Sequence, residues 1–243
     1  MERRRRYAPT MKPLVLFDID GTLLRTGGAG RQAMDDAFLA VHGWTRATEG
    51  VPIGGSTDGA ICAGVARKHA AEVDVPAVRE RYLERLVERL GDGARVEVCP
   101  GVFELIAALE GRAHIALLTG NWSAGAALKL GAAGLGGVFP WGAYAEDAVD
   151  RNALLPIARE RARGLGVQYG AAVIIGDTPA DVACARAGQG KVIAVETGFG
   201  SAEELAKSAP DLQVPDLARG LGWVLAFLTP TDLSPTGPDQ PLR

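Results

Sequence analysis

The sequence predicts an α/β fold: a doubly wound parallel sheet interrupted by a helical insert. Three observations carry this reading. Short apolar runs recur along the chain, "LVLF" at 14–17, "HIALL" at 114–118, "AAVII" at 171–175 and "KVIAV" at 191–195. Their apolar residues are continuous rather than alternating, which suits strands covered on both faces, as in a parallel sheet. Helical patterns separate the later runs, so helices pack on both faces of a Rossmann-like core. Residues 27–97 instead hold three amphipathic helix patterns and no strand pattern.

The elements follow in order. The start, "MERRRRYAPT", has the basic character of a signal-peptide n-region. The apolar run behind it is too short for an h-region of about 7–15 residues, and Asp18 interrupts it. Residues 1–11 therefore read as a flexible basic tail, with Met11 the expected start of the native chain and residues 1–10 dispensable. Residues 12–26 open the core with the first strand. Gly27-Gly28-Ala29-Gly30 fails the G-x-G-x-x-G spacing of a dinucleotide site and reads as a flexible hinge. The insert, 27–97, carries "GRQAMDDAFLAVHGW", "TDGAICAGVARKHAAEV" and "VPAVRERYLERLVERL". The core resumes over 98–228. Its helix patterns are 101–110, 152–165 with Pro156 marking a start or kink, and 178–188, opened by Thr178-Pro179 and closed by Gly188. The Pro-rich end, 229–243, reads as a second flexible tail.

Composition narrows the class. The chain of 243 residues is 47% apolar and 23% charged, ordinary globular values that permit a sizeable core. A formal net charge of −3 gives no whole-chain case for a nucleic-acid or membrane partner. No apolar stretch reaches the ~18 residues of a membrane span. Cys62, Cys99 and Cys184 are scattered, odd in number and without C-x-x-C spacing. They read as buried reduced thiols of a cytoplasmic protein. His42, His69 and His114 are equally scattered, which argues against a zinc site.

Buried strands rarely end in paired acids, yet the first strand delivers Asp18 and Asp20. The second sheet strand delivers Thr119 in "LLTGN", and a later one delivers Asp177 in "IIGDTPAD", with Asp181 four residues on. Ligands of open α/β sheets bind beyond the carboxyl ends of the strands, so these residues can converge. Asp18, Asp20 and Asp177 are hard oxygen donors, suited to Mg²⁺. A carboxylate is also a possible nucleophile toward phosphorus. Asp18 and Asp20 lie two apart, on one side of an extended chain, so one can attack while the other handles the leaving group's proton. Thr119 and neighbouring backbone N–H groups can hold phosphoryl oxygens. A cation is still needed to balance the phosphate.

"DIDGTLL", "LLTGN" and "IIGDTPADVACARAG" resemble motifs one, two and four of the haloacid dehalogenase-like hydrolases, a superfamily made up mostly of phosphatases. The motifs fall in family order over 14–188, and the insert stands where that family places a helical cap. "GGSTDGAI" at 54–61 resembles a cap segment of the phosphoglycolate phosphatase-like branch. The resemblance implies Asp18 as nucleophile and Mg²⁺ ligand, Asp20 as general acid/base with its backbone carbonyl on the metal, and Asp177 as the second metal carboxylate. It implies Thr119, with Gly120 and Asn121, as phosphate-binding, Asp181 as an outer carboxylate, and Gly21 and Thr22 as the turn beneath the nucleophile. Motif three departs from the family's usual Lys. Arg151 in "EDAVDRNALLPIA" stands at a suitable distance, with Lys129 in "AALKLGAAG" as rival and otherwise a surface helix residue.

Each residue alone has a structural explanation: Asp18 as a turn former, Asp177 as a helix cap, Thr119 as a strand stop. Three strand ends carrying matched chemistry outweigh those explanations together. Arg25, Arg31, Arg67 and Lys68, in and beside the insert, read as solvated surface, and Trp141-Gly142-Ala143-Tyr144 as core or strand packing. The expected function is a Mg²⁺-dependent phosphatase that hydrolyses a small phosphorylated metabolite through an aspartyl-phosphate. The alternatives are a phosphomutase and a non-catalytic binding protein of the same fold. The substrate and the oligomeric state are not legible in the sequence.

Overall fold

The computed structural model describes residues 11–91 and 95–229. The expected tails lie outside these residues apart from Met11 and Thr229. In the chain's order the elements are β1 (Leu14–Phe17), β2 (Leu24–Arg25), α1 (Ala29–His42), α2 (Asp58–His69), α3 (Val75–Gly91), β3 (Glu97–Val98), α4 (Val102–Leu109), β4 (His114–Leu118) and α5 (Ser123–Ala132). There follow β5 (Gly142–Ala143), a 3₁₀ turn at Arg151–Ala153, α6 (Leu154–Gly164), β6 (Ala172–Gly176), α7 (Pro179–Ala187), β7 (Lys191–Val195), α8 (Ala202–Lys207), β8 (Leu212–Val214) and α9 (Leu221–Phe227).

Among the described residues, six parallel strands form one sheet in the order β5-β4-β1-β6-β7-β8. The strand period of two divides β1 between two apolar layers. Val15 and Phe17 pack with Leu105, Leu130 and Val224, whereas Leu14 and Leu16 pack with Leu154, Ala158 and Val182. That two-sided burial is why β1 is uniformly apolar.

β1 lies between β4 and β6, so the chain reverses its winding direction beside it. The register pairs Phe17 with both Leu117 and Ile175. Asp18 therefore emerges beside the ends of both neighbours, with Thr119 and Asp177 one step beyond. This is the topological switch point at which α/β sheets bind ligands.

The insert leaves and rejoins the core through a short antiparallel ribbon, with Leu24 paired to Val98 and Arg25 to Glu97. The sequence pattern shows no strand as far as residue 97; the ribbon is too short to carry a period. Gly27 and Gly28 both adopt positive φ and turn the chain into α1. α1, α2 and α3 enclose their own apolar cluster around Phe38, Val65, Tyr82 and Leu86, and the core loops add Trp122 and Ala145.

The stability of the sheet rests on these buried side chains. Leu16→Ala removes a fully buried side chain from the central strand, and such truncations cost about 2–5 kcal/mol. Urea unfolding of the variant should show that loss with an unchanged m-value.

Candidate active site

Each strand end is fixed by its own local chemistry. Asp18 N–H donates to Ile175 O (3.0 Å), which continues the β1–β6 ladder by one residue. The chain then folds tightly, with Leu23 N–H and Leu24 N–H both reaching Ile19 O at 2.9 and 3.1 Å. Gly21 is required in this turn. Its φ is +84°, and a Cβ there would lie 2.5 Å from Asp177 Oδ2. Asp177 is fully buried and accepts from Thr22 Oγ1 (3.0 Å) and from Phe199 N–H (2.8 Å). Thr178 and Pro179 open α7, as the sequence predicts. Asp181 in its first turn accepts from Thr178 N–H (3.0 Å) and Thr178 Oγ1 (2.7 Å).

Oxygen atoms of Asp18, Asp177 and Asp181 all lie within 4.8 Å of one another. Burial drives the Asp18 carboxyl up to about 6, opposed by Arg151 and reinforced by Asp181 and Asp20. Burial, then the charges of Asp18 and Asp181, drives Asp177 up to about 8. Asp18 Oδ1 is buried without a hydrogen-bond partner. An orphaned carboxylate oxygen among mutually repelling acids fits a divalent cation with a preference for oxygen. Both oxygens of Asp181 already have partners, which suits the outer place implied for it.

Two cations enter the site. Arg151, in the 3₁₀ turn before α6, lies 3.3 Å from Asp18 Oδ2, pairs with Asp181 and reaches Gly55 O at 3.3 Å. Lys129, on α5, lies 2.6 Å from Asp20 Oδ2 and 2.6 Å from Asn121 Oδ1. The two are not rivals for one position: Arg151 faces Asp18 and Lys129 faces Asp20. The surface reading of Lys129 is corrected, because the residue is only 4% exposed. It shares the buried stripe of α5 with Gly125, Ala126 and Leu130, and that i, i+4 relation to Gly125 is the signal that could have placed it. Burial disfavours each cation, yet neighbouring anions, Asp18 and Asp181 for Arg151 and Asp20 first for Lys129, raise both pKa values.

Thr119 Oγ1 accepts from Asn121 N–H (3.3 Å) and Asn121 Nδ2 (2.8 Å), leaving its hydroxyl proton for another acceptor. The Asn121 side chain is engaged with Asp20, Thr119 and Lys129.

The insert docks onto this loop. Asp58 N–H donates to Gly120 O (2.7 Å), and Asp58 Oδ2 accepts from Trp122 N–H (2.8 Å). A Cβ at residue 120 would lie 2.1 Å from Ser56 O, so only glycine permits this approach. Asp58 was not among the expected residues; its signal is an acid inside "GGSTDGAI". Burial raises its carboxyl to about 6, against the pull of Lys129.

Between insert and core lies a cavity of about 550 Å³, lined by Asp18, Asp20, Lys129 and Arg151 and walled by Met34, Ile53, Tyr82 and Phe199. Arg25 and Arg31, read as surface, reach its lining. Arg25 Nε donates to Thr197 O (2.7 Å), and Arg31 Nε to Thr48 Oγ1 (3.3 Å). Lys68 instead ties the insert's own loop through Arg46 O, Ala47 O and Glu49 O. The three cysteines are buried and free, and no helix among the described residues is long and apolar enough to cross a membrane.

Acids and cations gather at the switch point of a parallel sheet, under a helical insert, where α/β enzymes place their active sites. The family model for the haloacid dehalogenase-like hydrolases matches residues 15–186. The chain belongs to that family and is a hydrolase of it. It is 28% identical over 230 residues to "Probable phosphatase IndB" of Dickeya dadantii, covering 90% of this chain and 96% of that protein. CbbY from Rhodobacter sphaeroides, in complex with phosphate, superposes with a TM-score of 0.67 at 20% identity, covering 86% of this chain and 96% of its own. A predicted phosphoglycolate phosphatase from Haemophilus somnus superposes with a TM-score of 0.65 at 18% identity, covering 88% and 98%. These likenesses establish the fold.

The raised acids set a pH dependence. In chelator, folded Asp18 and Asp177 hold protons that the unfolded chain has lost between about pH 4 and 8. The native state then binds more protons than the unfolded state, so stability falls as pH rises through that window. Melting temperature in chelator should be lower at pH 8.5 than at pH 5.5, and Mg²⁺ should raise it more at the higher pH. Asp177→Asn should flatten the slope and blunt the Mg²⁺ response; an unchanged slope would contradict the assignment.

Proposed function

We propose that this chain is a phosphatase that hydrolyses a small phosphate monoester through an aspartyl-phosphate on Asp18. The observation that carries this reading is Asp18 itself. Asp18 lines the cavity, its Oδ1 has no hydrogen-bond partner in the protein and its Oδ2 lies 3.3 Å from Arg151, so the protein's own donors leave this carboxylate uncommitted. The naming of IndB as a probable phosphatase, and the CbbY structures with phosphate and with xylulose-1,5-bisphosphate, support a phosphorylated small molecule as substrate.

In this reading one oxygen of the Asp18 carboxylate attacks phosphorus in line and forms a P–O bond as the bond to the leaving oxygen breaks. Asp20 gives that oxygen a proton. Asp20 then takes a proton from the water that attacks the aspartyl-phosphate, releasing inorganic phosphate and restoring Asp18. Arg151 and the Thr119 hydroxyl hold the phosphoryl oxygens. The carboxylates of Asp18 and Asp177 and the backbone carbonyl of Asp20 would hold Mg²⁺. When bound, Mg²⁺ supplies positive charge that offsets repulsion between these acids and a phosphate dianion. The insert acts as a cap, excluding bulk water and walling the leaving-group side of the cavity.

Phosphate release from p-nitrophenyl phosphate and a panel of phosphorylated metabolites tests the reading. Release should require Mg²⁺ and stop in excess chelator. Asp18→Asn should abolish turnover with little loss of melting temperature. Arg151→Ala should lower kcat/KM by about 10²–10³-fold, the usual effect of removing preorganised charge. Arg151→Lys should recover part of that loss, because charge returns without the bidentate fork. Isomerised sugar phosphate in place of free phosphate would favour a phosphomutase, and turnover by Asp18→Asn would move the nucleophile elsewhere.

A further inference from the structure

The buried Lys129 has no part in the steps above, yet it touches the acid/base. Burying an ammonium group is costly unless it is paired, and a buried ion pair is often no more stabilising than apolar side chains of similar volume. Stability alone is therefore a weak reason for a lysine on the inner face of α5. The geometry around it suggests another. Lys129 Nζ and Asn121 Nδ2 donate to the same atom, Asp20 Oδ2, at 2.6 and 2.9 Å. Lys129 also donates to Asn121 Oδ1 at 2.6 Å, which closes a ring of three side chains. Rotation of the Asp20 carboxylate would break two charge-assisted hydrogen bonds. Oδ2 is saturated, and Oδ1 is left for proton exchange at the cavity. The ring is anchored through the backbone on either side of Asn121, where Asp58 of the insert holds Gly120 O and Trp122 N–H.

We propose that Lys129 is a positioning residue for the phosphatase reaction: with Asn121 it clamps one oxygen of Asp20, so that the other is aimed at the leaving group and then at the hydrolytic water. This inference rests on the phosphatase reading and assigns Lys129 no contact with the phosphoryl group. It differs from a purely structural ion pair in what it predicts. Loss of the clamp should impair the proton-transfer steps and leave substrate affinity nearly unchanged. It should also do nothing once Asp20 can no longer transfer protons.

The test compares wild type, Lys129→Met, Lys129→Arg, Asp20→Asn and the double variant Asp20→Asn/Lys129→Met, each checked for folding by circular dichroism. Two substrates are used. Benzyl phosphate needs its leaving group protonated, and p-nitrophenyl phosphate does not. Lys129→Met should lower kcat on benzyl phosphate by about 10²-fold, within the range for general acid–base catalysis, with KM little changed. On p-nitrophenyl phosphate it should give a burst of nitrophenolate followed by slow turnover, because only dephosphorylation of Asp18 then needs Asp20. Lys129→Arg should recover part of kcat. In the Asp20→Asn background the added Lys129→Met should cost no more than about twofold, the scatter expected when no further interaction is removed. Should Lys129→Met alone fail to fold, the pair Asp20→Asn and Asp20→Asn/Lys129→Met decides by the same criterion. Additive losses, an unchanged kcat, or a rise in KM alone would overturn the proposal. A wild-type enzyme that releases phosphate from neither ester removes the phosphatase reading and this proposal with it, an outcome distinct from active enzyme with an indifferent Lys129.

Discussion

Mutual repulsion among buried carboxylates is the constraint on which the rest of the structure depends. Asp18, Asp177 and Asp181 are almost entirely removed from water and within 4.8 Å of one another. Such a cluster is tolerable only if hydrogen-bond donors and positive charge surround it. The fold supplies them from four directions. Thr22 and the Phe199 N–H serve Asp177, Thr178 serves Asp181, and Arg151 spans Asp18 and Asp181. One oxygen, Asp18 Oδ1, receives nothing from the protein. That is where the proposed chemistry is placed.

That arrangement explains features otherwise far from catalysis. The sheet order places β1 between β4 and β6, so three strand ends arrive together. Gly21 and Gly120 permit backbone approaches that a Cβ would block, one under Asp177 and the other against the insert. The insert's Asp58 grips the loop carrying Asn121, and Asn121 in turn meets Asp20 and Lys129. Contacts that dock the insert are thereby continuous with contacts that hold Asp20, the proposed acid/base. A change at Asp58 would reach Asp20 through the backbone of residues 120–122 and the Asn121 side chain.

Much of this was legible in the sequence where burial is uniform. β1, β4 and β7 coincide with continuous apolar runs, because a strand covered on both faces has no polar side to blur its ends. Gly142–Ala143 and Leu212–Val214 carry no such run; their strand character comes from the parallel neighbours they extend. The helix α5 is rich in Gly and Ala, and its one Lys reads as solvent-facing until the packing partners are known. The acids were legible because carboxylates at the ends of apolar strands contradict ordinary burial. Lys129 and Asp58 were not, because their significance lies in each other's neighbourhood rather than in local pattern. Arg151 falls between these cases: its residue type and position suggest a cation, but only the fold brings it to Asp18.

In the proposed reaction Asp18 carries the phosphoryl group. Acid quenching during turnover of a radiolabelled phosphate ester, followed by proteolysis and peptide mass analysis, tests it most directly. One phosphoryl group is expected on the peptide containing Asp18, absent from Asp18→Asn and accumulating in Asp20→Asn enough to be captured with p-nitrophenyl phosphate. Label on any other residue, or turnover by direct attack of water with no labelled Asp18 at any quench time, would contradict it.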